Sequence, residues 1–207
     1  MNKRWAWGVL LALAIGAAAE AQGPGPRRRS PEGSSATEVG GRYDERDGYV
    51  GGKWIEIRYG RPIKRNRDLF GTEDFADALN DGAPVWRAGA NESTRLLTEV
   101  ALNIGGRRID PGEYTVFIEL GKESWTLIVS RWAAQIGGYD TADRTALFGA
   151  YDYTPDKDVV RTPMQLVVQP YSHDQLHWEF LDLTGEGGRL AIFWDRQMAS
   201  VPFTLVR

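Results

Sequence analysis

The chain of 207 residues has no cysteine, only two histidines and only three methionines. Without cysteine there is no disulfide framework, thiol nucleophile, thiolate zinc site or iron–sulfur cluster. Two histidines remove most of the remaining metal recipes, so neither a metal nor a cofactor is assigned. The sequence also lacks a G-x-G-x-x-G turn, a P-loop and a G-x-S-x-G elbow, which leaves dinucleotide binding, P-loop phosphate binding and α/β-hydrolase chemistry without support. What is present is a globular balance. Hydrophobic residues at 42% and charged residues at 26% fit neither a wholly disordered chain nor a multi-spanning membrane protein.

The N-terminus reads as an export signal. Lys3 and Arg4 precede an uncharged run from Trp5 to Ala19, and Ala19-Glu20-Ala21 places small residues ahead of a cleavage point before Gln22. The run falls short of the roughly 20 apolar residues needed to cross a bilayer, so no transmembrane anchor is expected after cleavage. With no cysteine to carry a lipid, the mature protein is expected to be periplasmic or secreted. Residues 22–41, rich in Gly, Pro and Ser and carrying Arg27 to Arg29, read as a disordered linker. Residues 42–207 are expected to form a single domain. From Arg42 onward 20 basic residues face 25 acidic ones, which argues against a nucleic-acid partner.

In that domain the hydrophobic period is two. Tyr114, Val116, Ile118 and Leu120 share a face, as do Trp125, Leu127 and Val129, and Gly121-Lys122-Glu123 joins the two runs as a hairpin. Ile55/Ile57/Tyr59, Met164/Leu166/Val168, Leu176/Trp178/Phe180, Leu190/Ile192/Trp194 and Val201/Phe203/Leu205 alternate in the same way. Gly105-Gly106 marks another hairpin turn. The pattern predicts an all-β fold, an antiparallel β-sandwich or jelly-roll-like arrangement, with one short helix capped by Thr72 and ending at Asn80-Asp81-Gly82.

Four constellations carry the polar chemistry. Lys53 to Arg67 holds six basic residues and one acid, Glu56, which suits either an anion-binding rim or a basic loop paired with Glu73, Asp74 and Asp77. Pro84 to Thr94 packs Trp86, Arg87, Asn91, Glu92, Ser93 and Thr94 among small residues. This is either one wall of a polar pocket or an arginine locked to Glu92 or to loop carbonyls. His173 and His177 lie on a strand-like run, where four residues span ~13 Å, too far for one ion. Tyr139 to Arg144 with Tyr151 to Asp158 form a Tyr- and Asp-rich connection, suited to a sugar face or a calcium site, or to a surface loop packed by its tyrosines.

The succession Tyr59-Gly60-Arg61-Pro62, Phe70-Gly71, Val85-Trp86-Arg87-Ala88-Gly89-Ala90-Asn91-Glu92-Ser93-Thr94, Ile104-Gly105-Gly106, Pro111-Gly112-Glu113-Tyr114 and Trp125 resembles bacterial family 2911 of the domains of unknown function. The likeness runs from about Trp54 to the C-terminus. It implies an exported β-rich protein and names neither substrate nor catalytic residue. The expected function is binding of a small polar or anionic ligand or envelope glycan. Arg87, Asn91 and Glu92 would form one wall, Trp86 would support it, and Arg58 or Arg61 would stand nearby. Two alternatives remain open: an envelope hydrolase using Glu92 with an Asp of the Tyr151–Asp158 loop, and a structural envelope module without ligand.

Overall fold

The computed structural model describes residues 29–70 and 75–206. The export signal, the start of the linker and the Thr72 cap lie outside these residues. In chain order the elements are β1 (Glu32–Val39), a small ribbon of β2 (Arg42–Asp44) and β3 (Gly48–Val50), β4 (Lys53–Gly60) and α1 (Phe75–Asn80). Then come β5 (Thr94–Thr98), β6 (Leu102–Ile104), β7 (Arg107–Ile109), β8 (Gly112–Leu120), β9 (Trp125–Ser130), β10 (Ala133–Ala134) and β11 (Ala146–Leu147). The chain closes with β12 (Asp158–Pro163), β13 (Gln165–Thr184) and β14 (Gly187–Leu205).

Two antiparallel sheets pack face to face. One runs β1-β4-β5-β8-β9-β12 and the other β13-β14-β6-β7. In β4, Ile55, Ile57 and Tyr59 point inward while Glu56 and Arg58 point outward, as the period of two requires. They meet Leu176, Trp178, Phe180, Leu190, Ile192 and Trp194 of the second sheet in one continuous core. Each such side chain contributes about 1.5–3 kcal/mol of burial, which is how a cysteine-free chain holds together. The β6–β7 hairpin turns on Gly105 and Gly106 at φ 58° and 76°, the pair of left-handed residues that a two-residue turn of this hand needs.

The linker expectation is corrected over Glu32–Val39, which pairs in full register with β4 from Glu32↔Gly60 to Val39↔Lys53. Its Ser, Thr and Gly residues gave no hydrophobic alternation. An edge strand held mainly by backbone hydrogen bonds needs little of it.

The central strands β8 and β9 are buried on both faces. Their outer side carries a second cluster in which Phe117 and Ile128 pack under Val85, Leu147, Ala150 and Tyr153. The connection 131–157 is thus an ordered cover. Buried Gln135 ties it down by donating from Nε2 to the carbonyls of Asp140, Asp143 and Ala146, at 3.0, 3.2 and 3.1 Å. Tyr139 and Tyr153 pack it further, Tyr139 against Phe148 and Tyr153 against Phe117.

The argument that separated the two histidines does not hold. His173 opposes Asp195 and His177 opposes Phe193, so four residues of β13 match two of β14 across a register shift. Asp195 sits in the left-handed region at φ 52°, and the imidazole centroids are 4.9 Å apart. His177 stacks on Phe193 at 4.7 Å, and burial pushes its pKa down. Among the described residues no group of three or more His, Cys, Asp or Glu is placed to hold a metal ion.

Candidate functional site

The polar block Trp86 to Thr94 is set within the six-stranded sheet. β5 pairs with β8 as far as Thr94↔Val116; at Ile118 the ladder is taken over by Trp86, whose N–H and C=O exchange bonds of 2.9 Å each with Ile118. Residues 87–93 are therefore looped out between two ladder positions. The loop closes by passing through left-handed conformations at Ala88 (φ 53°) and Asn91 (φ 64°). Asn tolerates this region, whereas Ala costs about 1–2 kcal/mol there. Ala88 is held by its carbonyl, which accepts from Trp178 Nε1 at 3.0 Å and Thr94 Oγ1 at 3.2 Å in full burial.

Arg87 is locked in place, though not by Glu92. Its Nη1 donates to the Asn91 carbonyl at 3.0 Å, its Nη2 to Asp81 Oδ2 at 2.9 Å, and its guanidinium lies 5.5 Å from the centre of the Tyr151 ring. Asp81 accepts from Tyr151 Oη as well. That hydrogen bond, against desolvation and with help from the Arg87 charge, holds the Asp81 carboxyl below the usual range, and it pushes the Tyr151 phenol up. Asn91 donates from Nδ2 to the Ser30 carbonyl at 3.0 Å, anchoring the segment that leads into β1. Glu92 accepts from the Gly137 amide at 2.9 Å.

Five of the six sequence-derived residues line two depressions. Arg58, Asn91 and Glu92 line a cleft of about 20 Å³ with Ser30, Glu32 and Arg95. That volume holds no more than about one water molecule. Arg58 is also neutralised, clasping both oxygens of Glu56 at 2.9 and 2.8 Å, a pairing that draws the Glu56 pKa down. Arg61 lines neither depression; its stem covers Gly33, and its Nε makes one 3.5 Å contact with the Leu176 carbonyl. Trp86, Arg87 and Asn91 line a second, larger groove.

That groove measures about 390 Å³ and runs between α1 (Ala78, Leu79), Asp81, Pro62, the 86–91 loop, Phe148 and Trp194. Its base is aromatic: Trp86 and Trp194 stack 6.0 Å apart at 13°. Arg67 stands at the edge with its guanidinium carbon 5.7 Å from the Trp194 ring centre. Two of its donors, Nε and Nη2, are used on the Lys64 and Ile63 carbonyls at 2.9 Å each, and among the described residues Nη1 has no hydrogen-bond partner. Among the described residues Arg67 has no carboxylate partner. The neighbouring Lys64 does have one, Asp195. Burial raises the pKa of that acid, but hydrogen bonds from Lys64 and Ser172 outweigh it and leave it lowered.

Sequence reasoning placed Arg67 in a basic run but missed Asp81, Phe148 and Trp194 as groove residues. They come from separate elements, and Trp194 reads only as a core position of an alternating strand. The aspartates of the Tyr151–Asp158 loop are engaged elsewhere. Asp152 pairs with Arg144, Asp156 with the Thr154 hydroxyl, and Asp158 with Tyr153 and Arg161. None of these contacts involves Glu92. No helix among the described residues is long and apolar enough to cross a membrane.

A search of the curated proteins and of the solved structures returns no match to the chain. The sequence profile of the family described as "Protein of unknown function (DUF2911)" matches residues 43–203, from β2 to within β14, and the chain belongs to that family.

Proposed function

We propose that this protein is an exported, non-enzymatic β-sandwich domain that binds a small polar or anionic ligand in the groove between α1, the 86–91 loop and Trp194. The observation that carries this reading is Arg67: a guanidinium with an open Nη1 and no carboxylate partner among the described residues, poised over an aromatic base at the edge of a 390 Å³ groove. A guanidinium in that position recognises carboxylate or phosphate oxygens by charge-assisted hydrogen bonds. Arg87 contributes differently, fixing the wall through Asp81 and the Asn91 carbonyl. The export half of the proposal rests on the Lys3-Arg4, apolar run and Ala19-Glu20-Ala21 order.

The test is a thermal-shift series on the mature protein and on Arg67→Ala with acetate, inorganic phosphate, dicarboxylates and sugar acids. A ligand at about 100 times its Kd stabilises by ~2.7 kcal/mol, which for a domain of this size raises Tm by roughly 5–10 °C. The reading expects at least one anion to do so in the parent and not in Arg67→Ala. Equal shifts in both proteins would place the anion elsewhere and overturn it.

A further inference from the structure

The groove's polar groups share a pattern that narrows its ligand. Asp81 receives both Arg87 and Tyr151 on Oδ2, and among the described residues its Oδ1 has no hydrogen-bond partner. Asn91 uses Nδ2 on Ser30, which leaves Oδ1 as an acceptor. Arg67 uses Nε and Nη2, which leaves Nη1 as a donor. Asp81, Asn91 and Arg67 all line the groove, and each is a planar group with a polar atom beyond those tied to the protein. Two fixed acceptors and a fixed donor suit vicinal hydroxyls, each of which donates once and accepts as well. An anion without hydroxyl groups, such as acetate, has no hydrogen to give Asp81 or Asn91.

Aromatic rings supply the other half of the pattern. Phe148 lines the groove, and Tyr139 lies against it at 5.7 Å and against Tyr151 at 5.7 Å. Tyr139 does not itself line the groove; its half-exposed ring stands beside Phe148, so a ligand seated on Phe148 would extend over it. Aromatic faces beside fixed planar hydrogen-bonding groups match a pyranose, whose axial C–H bonds pack on a ring face while its equatorial hydroxyls reach the polar edge. We infer that the groove binds an acidic saccharide, a pyranose bearing a carboxylate, with the sugar face on Phe148 and Tyr139, hydroxyls on Asp81 Oδ1 and Asn91 Oδ1, and the carboxylate on Arg67. This rests on the groove-binding reading above and adds the ligand class to it.

Isothermal titration with D-glucuronate, its neutral counterpart D-glucose and acetate separates the two ideas, using the full mature chain, Tyr139→Ala and Arg67→Ala. Tyr139 is exposed and Arg67 lies at the groove edge, so both variants are expected to fold, and circular dichroism checks that they do. The inference expects glucuronate to bind about tenfold or more tightly than either glucose or acetate, a factor corresponding to ~1.4 kcal/mol. It expects Tyr139→Ala to weaken glucuronate several-fold, and Arg67→Ala to reduce glucuronate to the affinity of glucose. If acetate binds as well as glucuronate and Tyr139→Ala changes nothing, the anion-binding groove stands and the saccharide inference falls. If glucose binds as well as glucuronate, the acidic part is wrong. If none of the three binds, both readings fall together.

Discussion

Gly60→Ala is the sharpest structural test of how the polar block is built. Gly60 ends β4, and a methyl group added there would overlap the backbone carbonyl of Ala90. A backbone atom has no rotamer by which to leave, so the turn through Ala88 and Asn91 must shift, and with it the Arg87–Asn91 and Asn91–Ser30 bonds. Overpacking costs ~1–3 kcal/mol; against backbone the upper value applies, which lowers Tm by roughly 6–12 °C in a domain of this size. Two companions calibrate the result. In Gly89→Ala the new methyl would sit 2.9 Å from Thr94 Oγ1 and 3.1 Å from the Gly60 carbonyl, a milder conflict worth about 1 kcal/mol and ~2–4 °C. In Gly138→Ala the methyl meets nothing within 4 Å, so stability is unchanged or slightly raised. Differential scanning calorimetry should therefore rank the variants Gly138→Ala, Gly89→Ala, Gly60→Ala in falling Tm. If Gly60→Ala melts with Gly138→Ala, the looped-out segment is not packed on β4 and the geometry of the groove wall is wrong.

Further outcomes follow from other contacts. Trp178→Phe removes the indole N–H from the Ala88 carbonyl and leaves a small void in full burial; the expected loss is about 2 kcal/mol, or ~4–8 °C in Tm. Because burial lowers the folded pKa of His177, its stabilising neutral form is fully present above the ordinary value of about 6.5 and is lost as pH falls through the lowered folded value. Tm should consequently fall as pH drops below about 6.5, and fall less in His177→Phe. Asp81→Asn withdraws the carboxylate that accepts from Tyr151, so the phenol pKa should drop back toward its ordinary value in an ultraviolet titration; an unchanged titration would refute the Asp81–Tyr151 bond. Cleavage after Ala21 predicts that exported protein begins at Gln22, read by intact mass.

The fold was legible wherever apolar residues alternate over a turn-bounded run, as in β4, β8, β9, β13 and β14. β1 escaped because Ser34, Ser35 and Thr37 hold the sheet edge by backbone pairing, which leaves no mark in side-chain hydropathy. The histidine distance failed for a related reason, since a register shift in a long hairpin changes spacing without changing composition. The site was half legible. The density of polar groups between Trp86 and Thr94 located the wall, but whether Arg87 faces a ligand or a loop depends on Asp81 and Tyr151, residues 6 and 64 positions away in sequence. Arg58 looked free in sequence because Glu56, two residues back, is brought alongside it only by the strand geometry that puts both on one face. The groove itself is a tertiary object assembled from Arg67, Asp81, Phe148 and Trp194, and no local pattern connects them.

The central claim is that the groove at Trp194 is a ligand site. It is tested most directly by following the indole and amide resonances of the ¹⁵N-labelled protein while D-glucuronate is added. Trp194 Nε1 donates to the Asp174 carbonyl beneath Arg67's ring contact, so its signal reports on the groove base. The account predicts saturable shifts at Trp194, Gly89, Asn91 and Phe148 that vanish in Arg67→Ala. Shifts confined to residues outside the groove, or shifts that persist in Arg67→Ala, would contradict it.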